Sequence, residues 1–149
     1  MSKIAIILPL LDRHEFTERI LSYYNLNRVD YTFYLADGSK VKKFNEKYLK
    51  KKFPFVKIIY KAFPFDSNFK FFISKMRKIT KLIKFSYIYQ IANDDFFNPN
   101  FLAKAESFLN KNKSYSLVGG QVKNIKVVQF FKPINDHGII KIQKELQYS

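Results

Sequence analysis

Residues 87–98 read YIYQIANDDFFN, an apolar run that ends abruptly in two adjacent carboxylates. The first half of this run has the β-branched and aromatic side chains of a buried strand, and it contains no charge. The second half is polar, as expected where a strand leaves a sheet. In open α/β sheets, ligands bind outside the carboxyl ends of the strands. Asn93, Asp94 and Asp95 are therefore candidate binding residues.

The adjacent acids Asp94 and Asp95 allow two interpretations. Neighbouring carboxylates repel each other, and a divalent cation would relieve that repulsion while bridging to the phosphates of a ligand. Alternatively, the segment is a solvated turn that caps a helix starting near Pro99. The position of the acids in the pattern of strands described next favours the first interpretation.

The rest of the chain alternates between apolar, strand-like runs and helical patterns. Besides the run at 87–98, strands are predicted at residues 3–8, 31–36, 56–60 and 116–119. Helices are predicted at about residues 15–24, 40–52, 71–84 and 99–110. Pro9 is expected to end the first strand, because proline lacks the ladder donor. Strands that alternate with helices of this length predict an α/β fold with right-handed crossovers and a mainly parallel sheet.

Acidic residues follow three of the predicted strands: Asp12 after the first, Asp37 after the second, and Asp94 with Asp95 after the fourth. Parallel strands present their carboxyl ends at one edge of the sheet. We therefore expect these acids to converge although they are far apart in sequence.

The second strand ends in the turn tripeptide Asp37-Gly38-Ser39. Gly38 either permits close approach of a ligand to the backbone or simply makes the turn. Neither a GxGxxG nor a GxxxxGK[ST] loop is present, so nothing supports a nicotinamide-binding or P-loop assignment.

Composition limits the class of protein. The chain has 149 residues, 47% of them hydrophobic, which predicts one globular domain. Cysteine is absent, which excludes disulfides and thiolate metal sites and fits a reducing, cytoplasmic setting. The formal net charge of +15 would attract polyanions or anionic lipid headgroups, although it can also reflect the composition typical of the source. The apolar run 4–11 is too short to span a membrane.

The order and spacing of these motifs resemble the N-terminal, nucleotide-sugar-binding half of GT-A glycosyltransferases, in particular the family-2-like enzymes. The matching segments are IAIILPLLDR (4–13), YLADGS (34–39), IYQIANDDFFNPNFL (88–102) and SLVGG (116–120). The resemblance covers about residues 3–121. It implies a three-layer α/β/α, Rossmann-like fold in a single donor-binding domain over 1–149. Residues 122–149 would be an extension of this domain, and the chain would be a shortened form of the fold.

The resemblance also implies roles for individual residues. The nucleotide of a donor such as a UDP-sugar would be bound by Asp12, Asp37, Gly38, Ser39, Asn93 and Asp94. Mg²⁺ or Mn²⁺ would be held by Asp95 with Asp94, and the sugar would pass to a glycan or lipid-linked acceptor. In this interpretation the metal stabilises the leaving diphosphate.

The sequence departs from the family pattern at several positions. Leu10 and Leu11 stand where the family usually has Thr and Tyr, and Asn93 replaces the usual first acid. The acceptor half and catalytic base of inverting members normally lie beyond the point where this chain ends, so no catalytic residue is assigned. Asp136 beside His137 could act as a base, but the pair reads more simply as an exposed turn before a glycine.

A second functional class stays open, in which the domain is a catalytically inactive binding module whose positive surface engages nucleic acid or another polyanion. Phenylalanines are interleaved with lysines in residues 65–75 (FDSNFKFFISK) and could stack on bases. The same segment reads more simply as a loop that leads into an amphipathic helix. In the enzyme interpretation, the basic surface would instead meet an anionic acceptor or an anionic membrane at its periphery.

Overall fold

Four strands and four helices alternate along residues 4–119, the part of the chain that the computed structural model describes. The strands are β1 (Ile4–Leu10), β2 (Thr32–Asp37), β3 (Lys57–Ala62) and β4 (Tyr87–Gln90). The helices are α1 (His14–Leu26), α2 (Glu46–Lys52), α3 (Phe69–Lys81) and α4 (Pro99–Lys111). The described residues belong to one compact unit.

The four strands form one parallel sheet in the order β3-β2-β1-β4. From β1 the chain adds β2 and then β3 on one side, and it returns to add β4 on the other side. The order therefore reverses between β1 and β4. In parallel α/β sheets, the crevice outside the carboxyl ends of two such strands is the usual ligand site.

Helices cover both faces of the sheet, which gives three layers. Even-numbered residues of β1, such as Ile6 and Leu8, share a buried cluster with Ile20 of α1, Leu49 of α2 and Leu102 of α4. Odd-numbered residues of β1 pack with α3 on the opposite face, in a smaller cluster that contains Ala5, Ile7 and Ile79. This alternation follows from the two-residue period of a strand, and it confirms the predicted three-layer α/β fold with a mainly parallel sheet.

The prediction that Pro9 ends the first strand is wrong, because β1 continues through Pro9 to Leu10. The carbonyl of Ile7 accepts a hydrogen bond from the N–H of Ile91, on the β4 side. The carbonyl of Leu10 accepts one from the N–H of Gly38, on the β2 side. Successive residues of a strand face alternate neighbours, so Pro9 faces the β4 side. Its missing N–H costs no ladder bond, because β4 ends opposite Ile7.

Helix α2 begins at Glu46, not near Lys40 as predicted. The side chain of Asn45 accepts from the backbone N–H of Tyr48 and fixes the start of the helix there. A second asparagine, Asn68, caps α3 through the N–H groups of residues 70 and 71, so this helix covers 69–81 and not 71–84. Helix α1 extends one residue before and two residues after its predicted limits.

Two strand predictions also need correction. Residues 116–119 form no strand in the described part of the chain, where Leu117 is 82% exposed and has no neighbouring strand to pair with. The run at 87–98 yields a four-residue strand at the edge of the described sheet, so Ile88 is half exposed and not buried as expected.

The expectations for residues 120–149 fall outside the described residues. Within 4–119, no helix has both the length and the apolar character needed to cross a bilayer.

Candidate functional site

The turn after β1 has an unusual backbone. Asp12 and Arg13 are consecutive residues with φ of 53° and 42°, in the left-handed region that is unfavourable for non-glycine residues by about 1–2 kcal/mol each. The N–H of Asp12 donates to the Ser39 hydroxyl oxygen at 2.8 Å, and the N–H of Lys40 donates to the Asp12 carboxylate at 3.3 Å. These bonds hold the turn against the end of β2.

The carboxylate of Asp37 is buried at the end of β2 and organises the turn that follows it. One carboxylate oxygen accepts from the N–H of Ser39 at 2.8 Å, and the other accepts from the Tyr60 hydroxyl at 2.7 Å. Burial, with a smaller contribution from this hydrogen bond, raises the pKa of Tyr60. Each carboxylate oxygen accepts a hydrogen bond and Asp37 is 0% exposed, so the side chain shapes the turn. Its predicted contact with a nucleoside stays a prediction.

A buried ion pair lies beside this turn. The N–H of Asp66 donates to the Gly38 carbonyl at 2.8 Å, and the Asp66 carboxylate pairs with the ammonium of Lys75. Lys75 also donates to the Leu10 carbonyl at 3.0 Å. The two side chains are 2% and 3% exposed. The pair therefore connects α3 and the loop after β3 to the carboxyl ends of β1 and β2.

This pair was not predicted, although two features of the sequence point to it. Asp66 is the one acid between Lys61 and Lys84. Lys75 lies four residues before the buried Ile79, which places a charge on the inward side of α3. A lone acid and an inward lysine nine residues apart are consistent with a buried pair.

The exit of β4 is connected to the exit of β1 through Arg13. Its guanidinium donates to the Asp94 carboxylate at 2.8 Å, across the crevice where the strand order reverses. The side-chain amide of Asn93 lies 3.5 Å from both the Arg13 carbonyl and the Thr17 hydroxyl. Since the Arg13 and Asp94 side chains are 59% and 40% exposed, the ion pair contributes little to stability and can be exchanged for a ligand.

Tyr24 anchors the segment that carries the acids. Its hydroxyl accepts from the N–H of Phe97 at 2.6 Å and donates to the Phe97 carbonyl at 3.2 Å. The two rings stack with centroids 4.4 Å apart. Burial raises the pKa of the Tyr24 hydroxyl, which therefore stays protonated. Phe97 is thus a core residue, whereas its neighbour Phe96 is 45% exposed.

We expect Tyr24→Phe to lower the free energy of unfolding by about 1–3 kcal/mol, because the buried N–H of Phe97 would lose its acceptor. Chemical denaturation measures this change. Tyr23→Phe is the matched control, since the Tyr23 hydroxyl makes no hydrogen bond within the described residues; it should change stability by less than about 0.5 kcal/mol. Equal losses in the two variants would contradict the anchoring role.

The predicted metal ligands are Asp94 and Asp95. Both are exposed, and Asp95 forms no ion pair with any residue in 4–119. No group of three or more His, Asp or Glu side chains in that range could hold an ion. Mg²⁺ usually keeps several waters and needs only one or two protein carboxylates beside ligand phosphates. The two acids therefore fit an ion shared with a diphosphate, and not an ion enclosed by protein ligands alone.

The structure brings together most of the predicted site residues, in two groups. Asp12 is hydrogen-bonded to the turn that contains Asp37, Gly38 and Ser39, and Asn93 and Asp94 contact Arg13. Because Asp12 and Arg13 are adjacent, the two groups meet at the end of β1. Asp95 lies next to Asp94 but has no side-chain link to either group among the described residues.

Comparison with known proteins supports the fold. No protein-family model matches the chain, and no curated protein matches it by sequence. By structure it is similar to residues 1–349 of the glycosyltransferase TarS from S. aureus, with a TM-score of 0.57 and 14% sequence identity. The similarity covers 74% of this chain and 33% of the TarS chain. The chain therefore has a glycosyltransferase-like, Rossmann-like fold and spans about a third of that neighbour's length.

Proposed function

We propose that this chain is a family-2-like GT-A glycosyltransferase or the donor-binding portion of one. The donor would be a nucleotide-sugar, for example a UDP-sugar, and the acceptor a glycan or a lipid-linked glycan. The observation that carries the proposal is the crevice between β1 and β4, where Asp94 and Asp95 lie exposed at the reversal of strand order. The TarS-like fold supports the same class of enzyme.

The proposed roles follow from the contacts at this edge. Asp95 and Asp94 would hold Mg²⁺ or Mn²⁺, which when bound would neutralise the charge that grows on the leaving diphosphate. Arg13 would turn from Asp94 to the diphosphate. A guanidinium pairs with phosphate oxygens in the same two-pronged geometry that it uses with a carboxylate. The turn at Asp37 to Ser39, held by Tyr60, would form the wall next to the nucleoside.

No catalytic base is proposed among residues 4–119. The acids at the sheet edge are needed for the metal or for the turn, and the chain matches only about a third of TarS 1–349. Asp136 and His137 lie outside the described residues. We propose that acceptor binding and the catalytic base come from beyond the described residues or from another polypeptide.

We expect UDP to bind in the presence of Mn²⁺, and Asp95→Ala to weaken this binding at least about tenfold, because one of two metal carboxylates is lost. Isothermal titration with Mn²⁺, and again with a chelator, measures the affinity. Asp30→Ala is the matched control. It removes the same charge at the opposite end of β2, where Asp30 pairs with Lys57. Its affinity for UDP should equal that of the unchanged chain.

Binding that ignores both the chelator and Asp95→Ala would refute the metal site. No binding at all in a folded protein would refute a UDP donor, and GDP and other nucleotides would then be titrated. The inactive binding module remains the second candidate, favoured by the net charge of +15. It predicts polyanion binding that weakens steeply with salt and is unaffected by Asp95→Ala.

A further inference from the structure

A row of cations lies along the outer side of α3, the helix that covers one face of the described sheet. Lys70, Arg77 and Lys81 recur at intervals of seven and four residues, which places them on one side of the helix. That side is opposite Lys75 and Ile79, the buried residues of α3. The row is about 16 Å long and straight, so it can face a flat surface.

The positive charge of this row is not compensated locally. Between Lys61 and Lys84 the chain has one acid, Asp66, and its carboxylate is buried against Lys75. Within residues 4–119, none of the three cations of the row forms an ion pair. The outer side of α3 therefore attracts anions, and its charges cost little to bring against an anionic surface.

Exposed phenylalanines surround the start of the same helix. Phe69 is 73% exposed, Phe71 is 44% exposed, and Phe65 in the preceding loop is 41% exposed. These rings lie at the carboxyl edge of the sheet, because the loop that holds them follows β3 and contacts the Gly38 turn. Rings beside a row of cations are the combination that binds at the interface of an anionic bilayer.

We propose that α3 docks on an anionic phospholipid surface. Lys70, Arg77 and Lys81 contact the headgroups, and Phe69 with its neighbouring rings enters the interface. A membrane fits better than a nucleic acid strand, because the cations form one straight row and Phe65, Phe69 and Phe71 expose apolar ring surface that a bilayer interface can bury. This inference does not depend on sugar transfer, but it would place the candidate site next to a lipid-linked acceptor.

Co-sedimentation with vesicles tests the proposal. The unchanged chain should bind vesicles of equal parts phosphatidylglycerol and phosphatidylcholine, and should not bind vesicles of phosphatidylcholine alone. The triple variant Lys70→Glu, Arg77→Glu, Lys81→Glu should reduce the partition coefficient by about 100-fold or more, since each basic residue near the surface contributes about fivefold. Phe69→Ser should reduce it by about five- to tenfold.

The matched control reverses three exposed lysines on the other side of the sheet: Lys47→Glu, Lys51→Glu and Lys104→Glu on α2 and α4. It changes the net charge equally, so it separates docking by α3 from attraction by total charge, and it should retain most of the binding. Thermal unfolding confirms that each variant is folded.

Three results would overturn the proposal. The first is binding to neutral vesicles as strong as binding to anionic vesicles. The second is a loss of binding in the control triple variant as large as in the α3 triple variant. The third is displacement from anionic vesicles by a single-stranded oligonucleotide whose phosphate concentration is lower than that of the lipid. The last result, together with loss of oligonucleotide binding in the triple variant, would assign the face to nucleic acid. The UDP titration is independent of all three outcomes, so failure of the docking proposal leaves the proposed sugar transfer untouched.

Discussion

Lys75→Met is expected to lower the free energy of unfolding by about 3–5 kcal/mol, because it leaves the carboxylate of Asp66 buried without its cation. Methionine keeps most of the volume of the lysine stem, so the loss would come from charge and hydrogen bonding and not from a cavity. The substitution also removes the donor to the Leu10 carbonyl at the end of β1. Chemical denaturation at neutral pH measures the change.

Two further variants separate this explanation from a general effect of altering α3. Lys78→Met changes an exposed lysine on the same helix and should cost less than about 0.5 kcal/mol. Adding Asp66→Asn to Lys75→Met removes the unpaired charge at nearly constant shape, so it should restore much of the lost stability. If Lys75→Met costs no more than Lys78→Met, the pair is not the buried, coupled contact described above.

The parts of the fold that local sequence determines were predictable. Apolar runs rich in β-branched and aromatic residues predicted the first four strands, and the helical spacing of apolar residues predicted all four helices. The meeting of Asp12 with the Asp37 turn also followed, because parallel strands present their carboxyl ends at one edge. Each of these steps needs only the pattern of one segment and a general rule of topology.

The remaining features depend on partners that the local pattern does not reveal. Pro9 stays in β1 because β4 ends two positions earlier, which is a property of the sheet and not of proline. Arg13 contributes to the site because a left-handed turn directs it across to Asp94. The helical pattern predicted at 71–84 does not by itself show that the ammonium of Lys75 is enclosed, and it is enclosed because Asp66 lies within reach. For Pro9 and Arg13, a segment distant in sequence decides the outcome.

Gly38→Ala is the second variant for which we expect a large effect. A Cβ at this position would lie 2.2 Å from a carboxylate oxygen of Asp66 and 2.3 Å from its Cγ. The end of a free side chain could move away at little cost. Asp66 is instead held by Lys75 and by its own N–H bond to the Gly38 carbonyl. We therefore expect a loss of about 3 kcal/mol or more, from overpacking combined with disturbance of the buried pair.

A double-mutant comparison identifies the cause of this loss, with denaturation as the measurement. In a chain that already carries Asp66→Ala and Lys75→Met, the obstructing carboxylate is gone, so Gly38→Ala should cost much less than in the unchanged chain. Gly119→Ala is the control, because a Cβ there meets nothing within 4 Å. An equal cost of Gly38→Ala in both backgrounds would show that the turn itself, and not the space taken by Asp66, requires glycine. A reduced cost would show that the buried pair restricts the residue at position 38, and that a feature of α3 helps to determine the shape of the candidate donor site.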